Sequence, residues 1–273
     1  MPHRSPTLNI EPLNAEAESE QTSDPGVEES YAAWVARLSE EQRAWEELLQ
    51  DRLGSTFGGY YLPIYKKDRV NGIPTAWDWV DDDPRLPRGL LIGDSISRGY
   101  TLPVRNHLAG RANIHRAPEN CGSTLSGIQN LDLWLGSGQW DVIHFNFGLH
   151  DSQTPIPKYE RRLREIITRL KATGAKLIWA TTTPRPVHSP EDAELASSDV
   201  RLRVAAARII EENDIAVNDL FSAVLPHCDK FQKARDVHFN DEGYEFLGKL
   251  VAGAIERVLD MPPEENERGG LKS

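Results

Sequence analysis

A serine hydroxyl becomes a useful nucleophile only when a neighbouring base removes its proton, and histidine is the side chain whose ordinary pKa suits that task near neutral pH. Two segments of the 273-residue chain supply such a pair. In Leu91-Ile92-Gly93-Asp94-Ser95-Ile96-Ser97 the serine directly follows an apolar run and precedes a segment of helical character. A serine so placed stands at a strand end, with helix N-terminal amides nearby to stabilise developing negative charge. The same position would also suit a serine that does no more than cap the helix. In Asp236-Val237-His238-Phe239-Asn240 an aspartate precedes a histidine by two residues. If the turn lets the carboxylate reach Nδ1–H, Nε2 is left as the proton acceptor for a serine hydroxyl. An Asp-x-His pair on a surface loop is otherwise ordinary.

Two further segments could supply partners for the charge that forms when such a serine attacks a carbonyl. Asn120-Cys121-Gly122-Ser123 offers a glycine whose N–H no side chain encumbers. Phe145-Asn146-Phe147-Gly148-Leu149-His150-Asp151 ends an apolar run with polar residues that would enter the same crevice; His150 read alone is as well explained as a structural histidine. His150, Asp151, Asp236 and His238 together could in principle hold a divalent ion, but no His-Glu-x-x-His helix supports that reading and Ser95 would then be unexplained. No cofactor or metal is expected. Ser97 occupies the place of the second glycine in a Gly-x-Ser-x-Gly elbow, so an elbow of that kind is not expected.

These segments need a scaffold that brings them together. Apolar runs near 90–93, 112–115, 142–147, 176–181 and 215–218 read as strands, and helical patterns near 100–108, 128–135, 158–173, 198–213 and 241–259 alternate with them. That alternation predicts a parallel sheet covered by helices on both faces, with sites where loops leave the carboxyl ends of the strands. Before it, residues 29–53 repeat Trp34, Leu38, Trp45, Leu48 and Leu49 at helical spacing, and Ser39 with Gln42 forms a capping box that would divide the segment in two. Gly54 would stop the second helix. Residues 55–88 are rich in aromatics and proline and read as an extended arm, whose aromatics either pack on the main domain or line a cleft. The expected organisation is a disordered acidic tail over 1–28, helices and aromatic arm over 29–85, a catalytic domain over 86–260 and a flexible tail over 261–273. The insert 184–198, with Arg185 and His188, reads as a solvated loop that could reach a substrate.

Composition narrows the partners. A formal net charge of −11 disfavours nucleic acid and anionic membrane surfaces. No apolar run is long enough to span a bilayer, and residues 1–20 lack the apolar stretch of a signal peptide. The chain therefore reads as cytoplasmic, or as secreted or periplasmic if a leader has been removed. Cys121 and Cys228 read as two reduced thiols.

Taken together, the Gly-Asp-Ser block, the lone Gly122, the Gly148-x-x-Asp151 block and the C-terminal Asp236/His238 block resemble, in order and placement, the SGNH/GDSL hydrolase family over roughly residues 86–259. The resemblance implies a flavodoxin-like three-layer α/β/α domain with a central five-stranded parallel sheet, here extended by N-terminal helices. It implies Ser95 as nucleophile, His238 as base and Asp236 as its orienter, with the N–H groups of Ser95 and Gly122 as oxyanion donors. Two departures stand out. The family's third block carries an oxyanion-donating Asn where this chain has His150, leaving His150 or Asn146 to take that role. The family's aspartate stands three residues before the histidine, where this chain has Arg235, leaving Asp236, a backbone carbonyl or Asp151 to orient the ring. The expected activity is hydrolysis of short esters, acetyl first among them, on a small molecule or oligosaccharide. The alternatives are a lysophospholipase or thioesterase on the same fold, and a carbohydrate-binding protein without activity.

Overall fold

The computed structural model describes residues 24–260. Three helices come first: α1 (Pro25–Val35), α2 (Glu40–Ser55) and α3 (Tyr61–Val70). Asp24 caps α1 by accepting from Gly26 N at 2.9 Å, and Pro25 occupies a first-turn position where its missing N–H costs nothing. Residues 24–28, expected within a disordered tail, are thus the start of a helix; the tails over 1–23 and 261–273 lie outside the described residues. Ser39 and Gln42 form the reciprocal capping box, and α2 runs through Gly54 to Ser55. The expected extended arm is corrected in part, because residues 61–70 are helical. Pro63 misleads there, since it falls in the first turn, where a missing N–H is tolerated. These helices close a core of their own around Tyr31, Leu49, Leu53, Tyr61, Tyr65 and Trp77. Inside it the Glu46 carboxylate accepts from Tyr31 and Tyr65 hydroxyls, each at 2.6 Å.

The rest of the chain alternates strand and helix: β1 (Arg88–Ile92), α4 (Ser95–His107), β2 (Asn113–Arg116), α5 (Thr124–Leu135), β3 (Val142–Phe145), α6 (Ile156–Lys171), β4 (Lys176–Ala180), α7 (Pro190–Glu212), β5 (Ala216–Asn218), short α8 (Leu220–Val224) and α9 (Cys228–Phe231), and α10 (Asp241–Val258). The strands form one parallel sheet in the order β2-β1-β3-β4-β5. Alternate residues feed opposite faces, as strand geometry requires. Leu90, Ile92, Ile143, Phe145 and Trp179 pack with α5, α6 and α7 on one side. Leu91, Val142, Ile178 and Ala180 pack with α4 and α10 on the other. The expected three-layer α/β/α architecture, with its N-terminal helical region, is therefore what the chain adopts. The sheet order reverses direction at β1, so the crevice for a site opens at the carboxyl ends of β1 and β3.

Helices α4, α5, α6 and α7 begin earlier than their apolar periodicity suggests, α4 and α7 by the most. Helix α4 starts at Ser95, capped by Asp94, and α7 starts at Pro190, capped by Ser189 accepting from Asp192 N at 3.1 Å. Residues 190–198, expected in a loop, are the opening turns of α7, with Glu191 and Asp192 placed where the helix dipole favours acidic groups. Within the same segment Arg185 is buried in an ion pair with Asp199 at 2.7 Å and does not face solvent. No helix among the described residues is long and apolar enough to cross a membrane. Both cysteines are free thiols, and burial pushes that of Cys121 up to about 12.

Candidate active site

Asp94 is the N-cap of α4, and its Oδ1 accepts from Ile96 N at 2.9 Å. Because Asp94 does the capping, the Ser95 hydroxyl is free for another partner. Ser95 Oγ lies 2.7 Å from His238 Nε2. Ser95 N belongs to the first turn of α4, whose N–H groups have no intrahelical acceptor.

His238 comes from a tight hairpin before α10. Gln232 and Phe239 form an antiparallel bridge, Lys233 N donates to His238 O at 2.9 Å, and Asp236 N donates to Lys233 O at 3.2 Å. The chain turns at Arg235, whose φ of +58° lies in the left-handed region that non-glycine residues seldom adopt. That turn lets Asp236, two residues before the histidine, reach its ring. Asp236 Oδ1 lies 2.7 Å from His238 Nδ1 and accepts from His238 N at 3.2 Å. With an acceptor-only carboxylate on Nδ1, the proton sits there and Nε2 presents its lone pair to Ser95.

Gly122 sits on the neighbouring loop with φ of +61°. An added Cβ would meet Ser126 Oγ at 3.4 Å on a backbone already unfavourable to L side chains. Gly122 N makes only a long contact of 3.4 Å with Asn120 Oδ1. The loop is tied to the serine loop where Cys121 N donates to Gly93 O at 3.1 Å. A second tie is Arg116, at the end of β2 and 2% exposed. Its guanidinium donates to Gly93 O, Asp94 O and Ser97 Oγ on one side and to Ala117 O and Glu119 O on the other, at 2.6–3.1 Å. With its terminal nitrogens held by four carbonyl oxygens and one hydroxyl, this buried charge ties the two loops to each other.

His150 lies on a single 3-10 turn after β3, with Nε2 4.0 Å from Asp94 Oδ2 and its ring 5.6 Å from that of Phe57. It makes no hydrogen bond among the described residues, so its N–H remains available. The other two sequence candidates are engaged elsewhere. Asn146 Nδ2 donates to Ala180 O at 2.7 Å and Thr182 Oγ1 at 3.2 Å, so both its hydrogens are committed and it is not a spare donor. Asp151 is fully buried and accepts from Thr124 N, Thr124 Oγ1 and Thr154 Oγ1 at 2.7–3.0 Å. It fastens the start of α5 to the His150 turn and does not touch His238; burial raises its pKa against the lowering effect of those bonds. The structure thus gathers Ser95, His238, Asp236, Gly122 and His150 in one crevice and leaves Asn146 and Asp151 in supporting positions. Among the described residues no group of three His, Cys, Asp or Glu side chains is placed to hold a metal ion.

Arg116 and Phe57 were not singled out from the sequence. Arg116 carries no local signal, being a charged residue at the end of an apolar run. Phe57 falls among the aromatics of the arm with nothing to set it apart.

Residues 91–246 match the model of the GDSL-like lipase/acylhydrolase family. No curated protein matches the chain. Among solved structures, a lipase/acylhydrolase from Enterococcus faecalis is 22% identical, with TM-score 0.56, over 66% of this chain and 100% of its own. An acetyl xylan esterase is 17% identical, with TM-score 0.52, over 62% of this chain and 99% of its own. An acetylxylan esterase from Geobacillus stearothermophilus is 16% identical, with TM-score 0.51, over 64% of this chain and 95% of its own. At these identities the three share the fold.

Proposed function

The chain belongs to the GDSL-like lipase/acylhydrolase family and so to the carboxylic ester hydrolases, and on that premise we propose that it removes short acyl groups, acetyl first among them, from a carbohydrate through an acyl-enzyme on Ser95. The observation that carries the mechanism is the relay from Ser95 Oγ to His238 Nε2 and from His238 Nδ1 to Asp236, each step 2.7 Å long.

In this reading His238 Nε2 takes the Ser95 proton as Oγ attacks the ester carbonyl, and Asp236 stabilises the imidazolium that results. The carbonyl oxygen becomes an oxyanion held by Ser95 N and Gly122 N, with the His150 ring N–H as third donor in place of an amide. Collapse of the tetrahedral species breaks the bond to the alcohol oxygen, which leaves with the proton from His238. Water then attacks the acyl-enzyme, giving its proton to His238 and releasing the acid and free Ser95. The carbohydrate assignment rests on the acetylxylan esterases among the structures of like fold and on the absence of a long apolar lid in the sequence around the site.

The test is hydrolysis of p-nitrophenyl acetate, butyrate and octanoate, together with acetate release from acetylated xylo-oligosaccharides, by the native chain and by Ser95→Ala. Turnover of acetate esters that falls about 10⁴-fold or more in the alanine variant is the expected result. A preference for octanoate would move the assignment to a lysophospholipase or thioesterase, and full activity of Ser95→Ala would refute the serine mechanism.

A further inference from the structure

Phe57 lies outside the segment 91–246 that matches the family, yet it reaches the crevice. It sits in the kink between α2 and α3, with φ 49° and ψ 41°. For a bulky aromatic residue this left-handed conformation is an outlier, and such outliers persist where surrounding structure enforces them, commonly at functional sites. The surroundings here are specific. Arg52, one turn earlier, pairs with the buried Glu119 at 2.7 Å, and Asn120 Nδ2 contacts Tyr61 OH at 3.3 Å. Both partners belong to the loop that carries Gly122, so the N-terminal helices are bolted to that loop on either side of Phe57. Its ring packs edge-on against His150 at 5.6 Å and against Tyr61 at 6.1 Å, and its Cζ lies 3.9 Å from where a Cβ on Gly122 would stand. Despite these contacts Phe57 is 47% exposed, which leaves much of the ring surface open to a ligand.

From this placement we infer that Phe57, supplied by the N-terminal helices, is the wall of the acyl subsite and limits the length of acyl group the enzyme accepts. The inference rests on the esterase reading of Ser95 given above. The stereochemistry of the tetrahedral species separates the acyl group from the other two substituents. The alcohol oxygen must face His238 to receive its proton, and the oxyanion must face Gly122 and His150. The acyl substituent takes the remaining direction, diverging from both, and the half-exposed Phe57 ring, which borders the oxyanion donors Gly122 and His150, is the bulky group that we place beside its path. An acetyl methyl fits beside the ring, whereas a longer chain runs into it. Hydrophobic subsites of this kind discriminate by about 10–200-fold per methylene step.

The test compares native chain, Phe57→Ala and Phe57→Asn on p-nitrophenyl acetate, butyrate and octanoate, and on acetate esters of different alcohols. Asparagine tolerates left-handed backbone, so it separates loss of the ring from loss of the fold, and thermal midpoints of all three check the latter. The expected result is a tenfold or greater rise in the ratio of butyrate to acetate kcat/KM in both variants, with ratios among acetate esters of different alcohols unchanged. Equal losses across acyl lengths, or a shift that follows the alcohol, would overturn the inference while leaving the serine mechanism standing. No turnover by the native chain on any ester would sink both.

Discussion

Asp236 orients His238 from two residues away, and the cost is a left-handed turn at Arg235. Replacing Asp236 by Asn keeps the shape but puts an N–H where an acceptor is needed, which favours the tautomer with its proton on Nε2. The expected outcome is a fall in kcat on the order of 10³–10⁴-fold with little change in melting temperature, read by steady-state kinetics and thermal unfolding. Replacing Arg235 by Gly should relieve the turn and stabilise the chain by about 0.5–1 kcal/mol in urea unfolding, because only glycine adopts that backbone freely. Arg116 calls for a different expectation. Lysine carries the charge but not the fork, so Arg116→Lys leaves several of the carbonyl oxygens at Gly93, Asp94, Ala117 and Glu119 without a donor. Each buried acceptor left unsatisfied costs about 1–3 kcal/mol, and kcat should fall more than KM changes, since the two loops hold the groups that meet the transition state.

At the scale of elements, the central strands β1, β3 and β4 could be read from the sequence because they are short, largely apolar runs whose burial on both faces leaves little room for polar alternation, whereas β2 and the exposed β5 carry polar residues. Helix starts were harder. Apolar periodicity begins late in α4 and α7 because their first turns are polar and held by caps, at Asp94 and at Ser189, with no apolar stripe of their own. Ser189-Pro190-Glu191-Asp192 has the residue types of a helix start, a capping serine followed by proline and acidic groups. Within the candidate site, Ser95, Gly122 and His150 could be found because each lies just past a strand, and Asp236 and His238 because the Asp-x-His pair stands just before the last helix. Asn146 and Asp151 could not be separated from them. Their commitments, to Ala180 and to Thr124, are tertiary contacts across 34 and 27 residues that no local pattern encodes. Phe57 and Arg116 escaped for the same reason.

At the scale of the whole molecule, the centre of the sheet makes stability depend on acid. His144, in β3, is fully enclosed, and burial lowers its pKa to about 3. The folded chain holds this ring neutral while the unfolded chain protonates it below its ordinary value near 6.5. The stability that the neutral ring contributes is therefore complete above about pH 6.5 and is lost as pH falls toward 3, with a slope of up to about 1.4 kcal/mol per pH unit. Urea unfolding followed across that range should show the slope, and His144→Gln should remove most of it. The sheet also joins groups far apart in the chain. Ser95 and His238 are 143 residues apart, and they meet only when α10 docks on α4 closely enough that Gly99 lies against the Tyr244 ring. A ribosome making this protein therefore emits Ser95 143 residues before His238, so a nascent chain carries the serine without its hydrogen-bond partner until the hairpin before α10 has emerged.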